Sequence, residues 1–224
     1  MLSNFPPADT EPLVLIVPGL NNGGPGHWQT AWERELPHAA RVELGAWDDP
    51  HRNTWVNQLN LAIYKARRPV ILVAHSLACH VVSWWAEYER PPSDGPVLGA
   101  LLVAPPEVEK NGIDGRLARF APVMKNPLPF PSVVVASRDD PYIGFGRARR
   151  LARIWKSRFV DAGWLGHINA ESGLGAWLFG QRLLDRLIAA AHERRSPVDQ
   201  SLAGPWPLYP PTDGPGARMG DPRS

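Results

Sequence analysis

The stretch Val70-Ile71-Leu72-Val73-Ala74-His75-Ser76-Leu77-Ala78 decides the fold. Four consecutive aliphatic residues, three of them β-branched, are too few for a free-standing helix and read as a strand buried on both faces of a parallel sheet. The chain then runs straight into a helical pattern over 77–88, with Ser76 at the junction. A strand that turns so sharply into a helix needs small residues beside the turn, which Ala74 and Ala78 supply, and it leaves the apical side chain strained and exposed. The simpler reading of Ser76 is a helix N-cap.

Working outward, residues 13–17, 98–103 and 133–136 form similar short aliphatic runs, and 41–44 and 158–160 are weaker candidates. Helical patterns over 28–36, 54–65, 145–155 and 170–192 separate them, and Thr54 opens its segment with an N-cap residue type. Strands alternating with helices imply an α/β domain built on a mostly parallel sheet with helices on both faces.

The chain has 224 residues, 24 basic and 22 acidic side chains, and one cysteine. A domain of this size buries roughly 70% of its unfolded surface, so its core needs neither disulfides nor metal. Cys79 alone forms no internal disulfide and no cysteine-based zinc site, which suits a reducing compartment and sets the expected location in the cytoplasm. A formal charge of +2 offers no broad footprint for nucleic acid or an anionic membrane. The N-terminus lacks the basic start and apolar stretch of a signal peptide, and apolar runs such as 97–104 are too short to span a bilayer.

Composition divides the chain into a loose arm over 1–11, a folded domain over 12–194 and a Pro/Gly-rich tail over 195–224. The tail carries seven of the 25 prolines, and too little apolar surface to offset its ordering entropy, so it is expected to be disordered. Its Pro205-Trp206-Pro207 and Tyr209-Pro210-Pro211 segments suit docking to a protein partner. Ten tryptophans are several times an average share.

In open parallel sheets ligands bind beyond the carboxyl ends of the strands. Ser76 follows one strand there. Another is followed by Ser137-Arg138-Asp139-Asp140-Pro141, and the last by Gly163-Trp164-Leu165-Gly166-His167. A serine, an aspartate and a histidine thus reach one rim in the order used by α/β-hydrolases. The acid is Asp139 or Asp140; proline restricts the residue before it to extended conformations, which favours Asp140, and Asp161 is a distant third. The loop Pro18-Gly19-Leu20-Asn21-Asn22-Gly23-Gly24 matches no nucleotide-binding pattern. It reads as an oxyanion loop, with the amides of Leu20 and Leu77 as donors. By adjacency Asn21, His27, Trp28 and Trp164 would border a substrate pocket. No histidine, aspartate and glutamate cluster has metal-ligand spacing, and no cofactor is expected.

These pieces resemble the retinoblastoma-binding-protein-nine/YdeN family of small α/β-hydrolases. The resemblance runs over most of 13–192 and rests on Val17-Pro18-Gly19 with His27-Trp28, the 47–55 stretch, Ala74-His75-Ser76, Asp139-Asp140-Pro141 and Gly166-His167. It implies a triad of Ser76, Asp140 and His167, the acid being the aspartate directly before proline. It further implies a serine hydrolase acting on esters or amides. Ala74 and Ala78 depart from the wider superfamily, which usually has glycine at these positions. Only 27 residues separate Ala104 from Ser132, too few for a large lid domain, so small acyl groups are the expected substrates. The rival readings are an acyltransferase on the same triad and a non-enzymatic interaction protein.

Overall fold

The computed structural model describes residues 11–195, without the side chain of Arg195; the expected arm and tail lie almost wholly outside that range. Six parallel strands form one sheet: β1 (Leu13–Val17), β2 (Ala39–Arg41), β3 (Val70–His75), β4 (Val97–Val103), β5 (Ser132–Ala136) and β6 (Arg158–Asp161), in the spatial order β2-β1-β3-β4-β5-β6. The helices are α1 (Trp28–Glu35), α2 (Arg52–Ala66), α3 (Ala78–Glu89), the single turn α4 (Gly115–Ala118), α5 (Phe145–Ile154) and α6 (Leu178–Arg195).

Successive strand residues feed opposite cores, as a pleated strand must. Leu15, Leu72, Leu102 and Val134 pack beneath α2, α3 and α5; Ile16, Val73, Leu101 and Val135 pack with α1 and α6. That double coverage is why these strands read as unbroken apolar runs. The tryptophan excess resolves here. Trp28, Trp32, Trp55, Trp85 and Trp155 are fully buried. Burying each ring stabilises the fold by up to about 4–6 kcal/mol at ~25 cal/mol per Å². Four of them also donate an indole N–H to a loop carbonyl: Trp28 to Ile168, Trp32 to Ala176, Trp55 to Gly45 and Trp155 to Met124. They fill the core and fasten connections to it.

Three departures from the sequence reading bear on the architecture. β2 pairs over Ala39–Arg41 rather than 41–44: Val42 N still donates to Ile16 O at 2.8 Å, but beyond it the chain leaves the ladder, and Leu44 is buried in the connection that follows. α2 starts at Arg52, two residues before Thr54. The pattern over 170–192 is not one helix. Asn169 and Ser172 cap a short 3-10 turn at Ala170–Ser172, and Gly173 and Gly175 then take φ of 61° and 54°, which no α-helix tolerates; α6 begins only at Leu178.

The strand order reverses beside β1, where the chain goes first to β2 and then returns to β3. A crevice opens at such a switch point, between the loops after β1 and β3. Among the described residues no helix is long and apolar enough to cross a membrane.

Candidate active site

Ser76 sits between β3 and α3 with φ 56°, the left-handed conformation that a sharp strand-to-helix turn imposes. Its N–H is held by Val103 O at 2.8 Å, and its carbonyl accepts from Cys79 N at 3.0 Å, so the turn is tied at both ends. Ala74 and Ala78 are fully buried and fit the turn. The tight contact lies instead against the neighbouring loop. A Cβ on Gly19 would stand 2.8 Å from His75 O and 2.9 Å from the Ser76 Cβ, both rigid. Gly19→Ala is therefore expected to displace the turn and to lower turnover by about 10²-fold, the scale of a 1 Å misplacement; steady-state kinetics on the folded variant check it.

His167 Nε2 lies 2.8 Å from Ser76 Oγ, and His167 Nδ1 lies 3.0 Å from both carboxylate oxygens of Asp140. A carboxylate only accepts, so the ring carries its proton on Nδ1, and the serine hydroxyl donates to Nε2. The Asp140 side chain is 1% exposed, and its Oδ1 also accepts from Tyr142 N at 2.9 Å. Asp139 points elsewhere: it accepts from Ser137 Oγ at 2.6 Å and Gly166 N at 2.9 Å, joining the aspartate loop to the histidine loop. Those bonds, the Ser137 hydroxyl first, hold its carboxyl below the usual range. Asp161 is taken by Arg138, at 2.6 and 2.9 Å.

The histidine loop is fixed through two successive carbonyls. His75 Nε2 donates to His167 O at 2.9 Å, and Trp28 Nε1 donates to Ile168 O at 2.8 Å. Trp28 is thus a buried brace packed on Trp32 and Trp177, not the pocket residue its position next to His27 suggested. Trp164 is 70% exposed and lines no part of the cavity, a second correction: the backbone on either side of it is tied to the aspartate loop, Gly163 O accepting from Arg138 N and Leu165 N donating to Ser137 Oγ, and its ring is left in solvent. Asn21 and His27 do line it.

The cavity over Ser76 measures about 300 Å³. One wall is the loop after β1; another comes from the 104–132 connection, whose turn α4 contributes Leu117 beside Pro106. The Tyr142 ring packs on His167 at 4.5 Å. At the mouth Arg116 grips Asp114 with two donors and holds its pKa to about 2, so this ion pair stays charged across the working range. Leu20 and Leu77 flank Ser76. Asn21 N donates to Trp47 O and Asn22 N to Gly19 O, whereas among the described residues neither the Leu20 nor the Leu77 amide has a backbone acceptor. Tyr142 and His75 were missed in the sequence although each stands beside a named residue: Tyr142 two positions after Asp140, His75 just before Ser76.

Burial, with the charge of Arg41, pushes His27 down to about 4; burial pushes His75 well below its ordinary value. Neither competes for a proton released by Ser76. Fully buried His80, donating to Pro106 O at 2.8 Å, is likewise pushed down to about 4 by burial. These groups fold neutral but charge when unfolded, so the unfolded chain binds more protons between about 4 and 6.5. Stability is then full above pH 6.5 and falls as pH drops toward 4, by on the order of 3 kcal/mol for each of His27 and His80. Denaturant midpoints measured from pH 7.5 to 4.5 should fall accordingly, and His80→Gln should flatten the slope by about one proton.

Comparison with known proteins follows the same lines. The family model described as serine hydrolase matches residues 14–186. A structure described as a YdeN-like hydrolase from Pectobacterium atrosepticum is 32% identical, covering 82% of this chain and 94% of its own, with a TM-score of 0.71. The ydeN gene product of B. subtilis is 18% identical (80% and 99% covered, TM-score 0.65), and Est1E from Butyrivibrio proteoclasticus 15% identical (81% and 90%, TM-score 0.60); these two share the fold. Comparison with curated proteins gives no match.

Proposed function

Because the chain belongs to the serine hydrolase family, as a small α/β-hydrolase of the YdeN type, we propose that it cleaves small esters or amides by acyl transfer through Ser76, His167 and Asp140. The observation that carries this reading is the unbroken chain of hydrogen bonds from Ser76 Oγ through the imidazole to the buried Asp140 carboxylate. Ser76 Oγ attacks the substrate carbonyl carbon as its proton passes to His167 Nε2. Asp140 keeps the other ring nitrogen protonated and stabilises the imidazolium. The carbonyl oxygen takes the negative charge and accepts from the Leu20 and Leu77 amides, each worth ~3 kcal/mol in the barrier. The bond to the leaving group then breaks as His167 returns the proton to it. A water molecule, deprotonated by the same nitrogen, cleaves the acyl-serine and frees the acid.

A cavity of about 300 Å³ roofed by one helical turn suits short acyl groups. The proposal sets the enzyme in the cytoplasm, in keeping with a lone, buried Cys79. The test is a panel of p-nitrophenyl esters and aryl amides. The acetate and butyrate esters should turn over at least tenfold faster than the palmitate, and a protein that hydrolyses no short ester or amide would sink the reading.

A further inference from the structure

Arg41 ends β2 at the edge of the sheet, yet its side chain is only 10% exposed. Its Nε meets Glu33 Oε2 at 2.7 Å, one terminal nitrogen meets Asn22 O at 2.9 Å and Asn22 Oδ1 at 3.0 Å, and the other meets Thr30 Oγ1 at 2.9 Å. The Thr30 hydroxyl lies 3.3 Å from Gly23 O and 3.1 Å from Gly24 O, within donating reach of either. One cation and the hydroxyl it orients thus hold Asn22 O and one of the two loop carbonyls that follow it. The backbone explains the need. Asn21, Asn22 and Gly23 run in the left-handed region, with φ of 62°, 62° and 55°. Such a run persists only where its surroundings hold it. On the other flank Gly19 packs against His75 O and Leu77 N. Leu20 lies between these two anchors.

We infer that Arg41 is a positioning residue for acyl transfer, holding the 20–24 loop so that the Leu20 amide stays aimed beside Ser76. The inference rests on the proposed role of Ser76 as nucleophile. Arg41 touches no reacting atom; it acts through Asn22 and Thr30. Donors stabilise a developing oxyanion best when they need not reorganise as charge appears, and a loop released from its clamp loses that advantage. The planar guanidinium reaches Glu33, Asn22 and Thr30 at once, which a lysine ammonium cannot do.

The test compares wild type with Arg41→Met, Arg41→Lys and Thr30→Val, using p-nitrophenyl acetate turnover per folded molecule. Inhibition by a trifluoromethyl ketone, whose hemiketal oxyanion occupies the same hole, is measured alongside. Arg41→Met should lower kcat about 10- to 100-fold with KM within about twofold, and should weaken the ketone by a similar factor. Arg41→Lys should recover little, added guanidinium should partly restore Arg41→Met, and Thr30→Val should show a smaller loss of the same kind. A kcat within about twofold of wild type, with only the melting temperature lowered, overturns the inference, and so does a raised KM at unchanged kcat. If Arg41→Met does not fold, unchanged ketone affinity in Thr30→Val overturns it instead. A wild type that is inert to serine-directed reagents removes the nucleophile and this inference together. A reactive wild type with indifferent Arg41 variants removes this inference alone.

Discussion

Ser76→Ala should lower kcat for a short ester by at least ~10⁴-fold while leaving the circular dichroism spectrum unchanged, the scale seen when a triad nucleophile is removed. The residue is almost fully enclosed, its backbone is held on both sides of the turn, and its hydroxyl donates to a histidine whose far nitrogen meets a buried carboxylate. Alanine keeps the small volume and deletes only the oxygen. What survives is binding and the two amides, enough for a residual rate above that of water but far below wild type. A loss smaller than about tenfold would mean that chemistry runs through another group.

The second large effect separates the adjacent aspartates. Asp140→Asn should cost about 10⁴-fold in kcat, because an amide NH₂ beside His167 Nδ1 favours the tautomer that cannot accept the serine proton. Asp139→Asn should stay within about tenfold. Its amide oxygen can still accept from Ser137 and Gly166, the contacts that Asp139 makes, and no ring tautomer depends on its charge. Parallel kinetics on the two variants decide between them; equal losses would mean that the carboxylates act as one unit.

Much of this was legible in the residues. β1, β3, β4 and β5 are buried on both faces, and such strands announce themselves as aliphatic runs whose ends vary by a residue or two. The loops that follow them carry Ser76, Asp140 and His167 to one rim because all strands of a parallel sheet end on the same side. What stayed hidden depends on contacts distant in sequence. Nothing local distinguishes Trp28, whose indole meets a carbonyl 140 residues away, from a pocket aromatic. Arg41 lies in a weak edge strand and acts on a loop 19 residues earlier. The break before α6 was visible in Gly173 and Gly175, but the helical period on either side of them masked it. At Ser76 the missing glycines mattered less than their absence suggested, because the space such a turn requires is provided by Gly19 from the neighbouring strand's loop.

The central claim is that Ser76 is the activated nucleophile, and mass mapping of a fluorophosphonate adduct tests it most directly. Wild-type protein at neutral pH should take up one phosphonyl group, on the peptide that carries Ser76. Ser76→Ala should take up none, and His167→Ala should be labelled far more slowly. Adduct on another serine, or equal labelling of wild type and Ser76→Ala, would contradict the account.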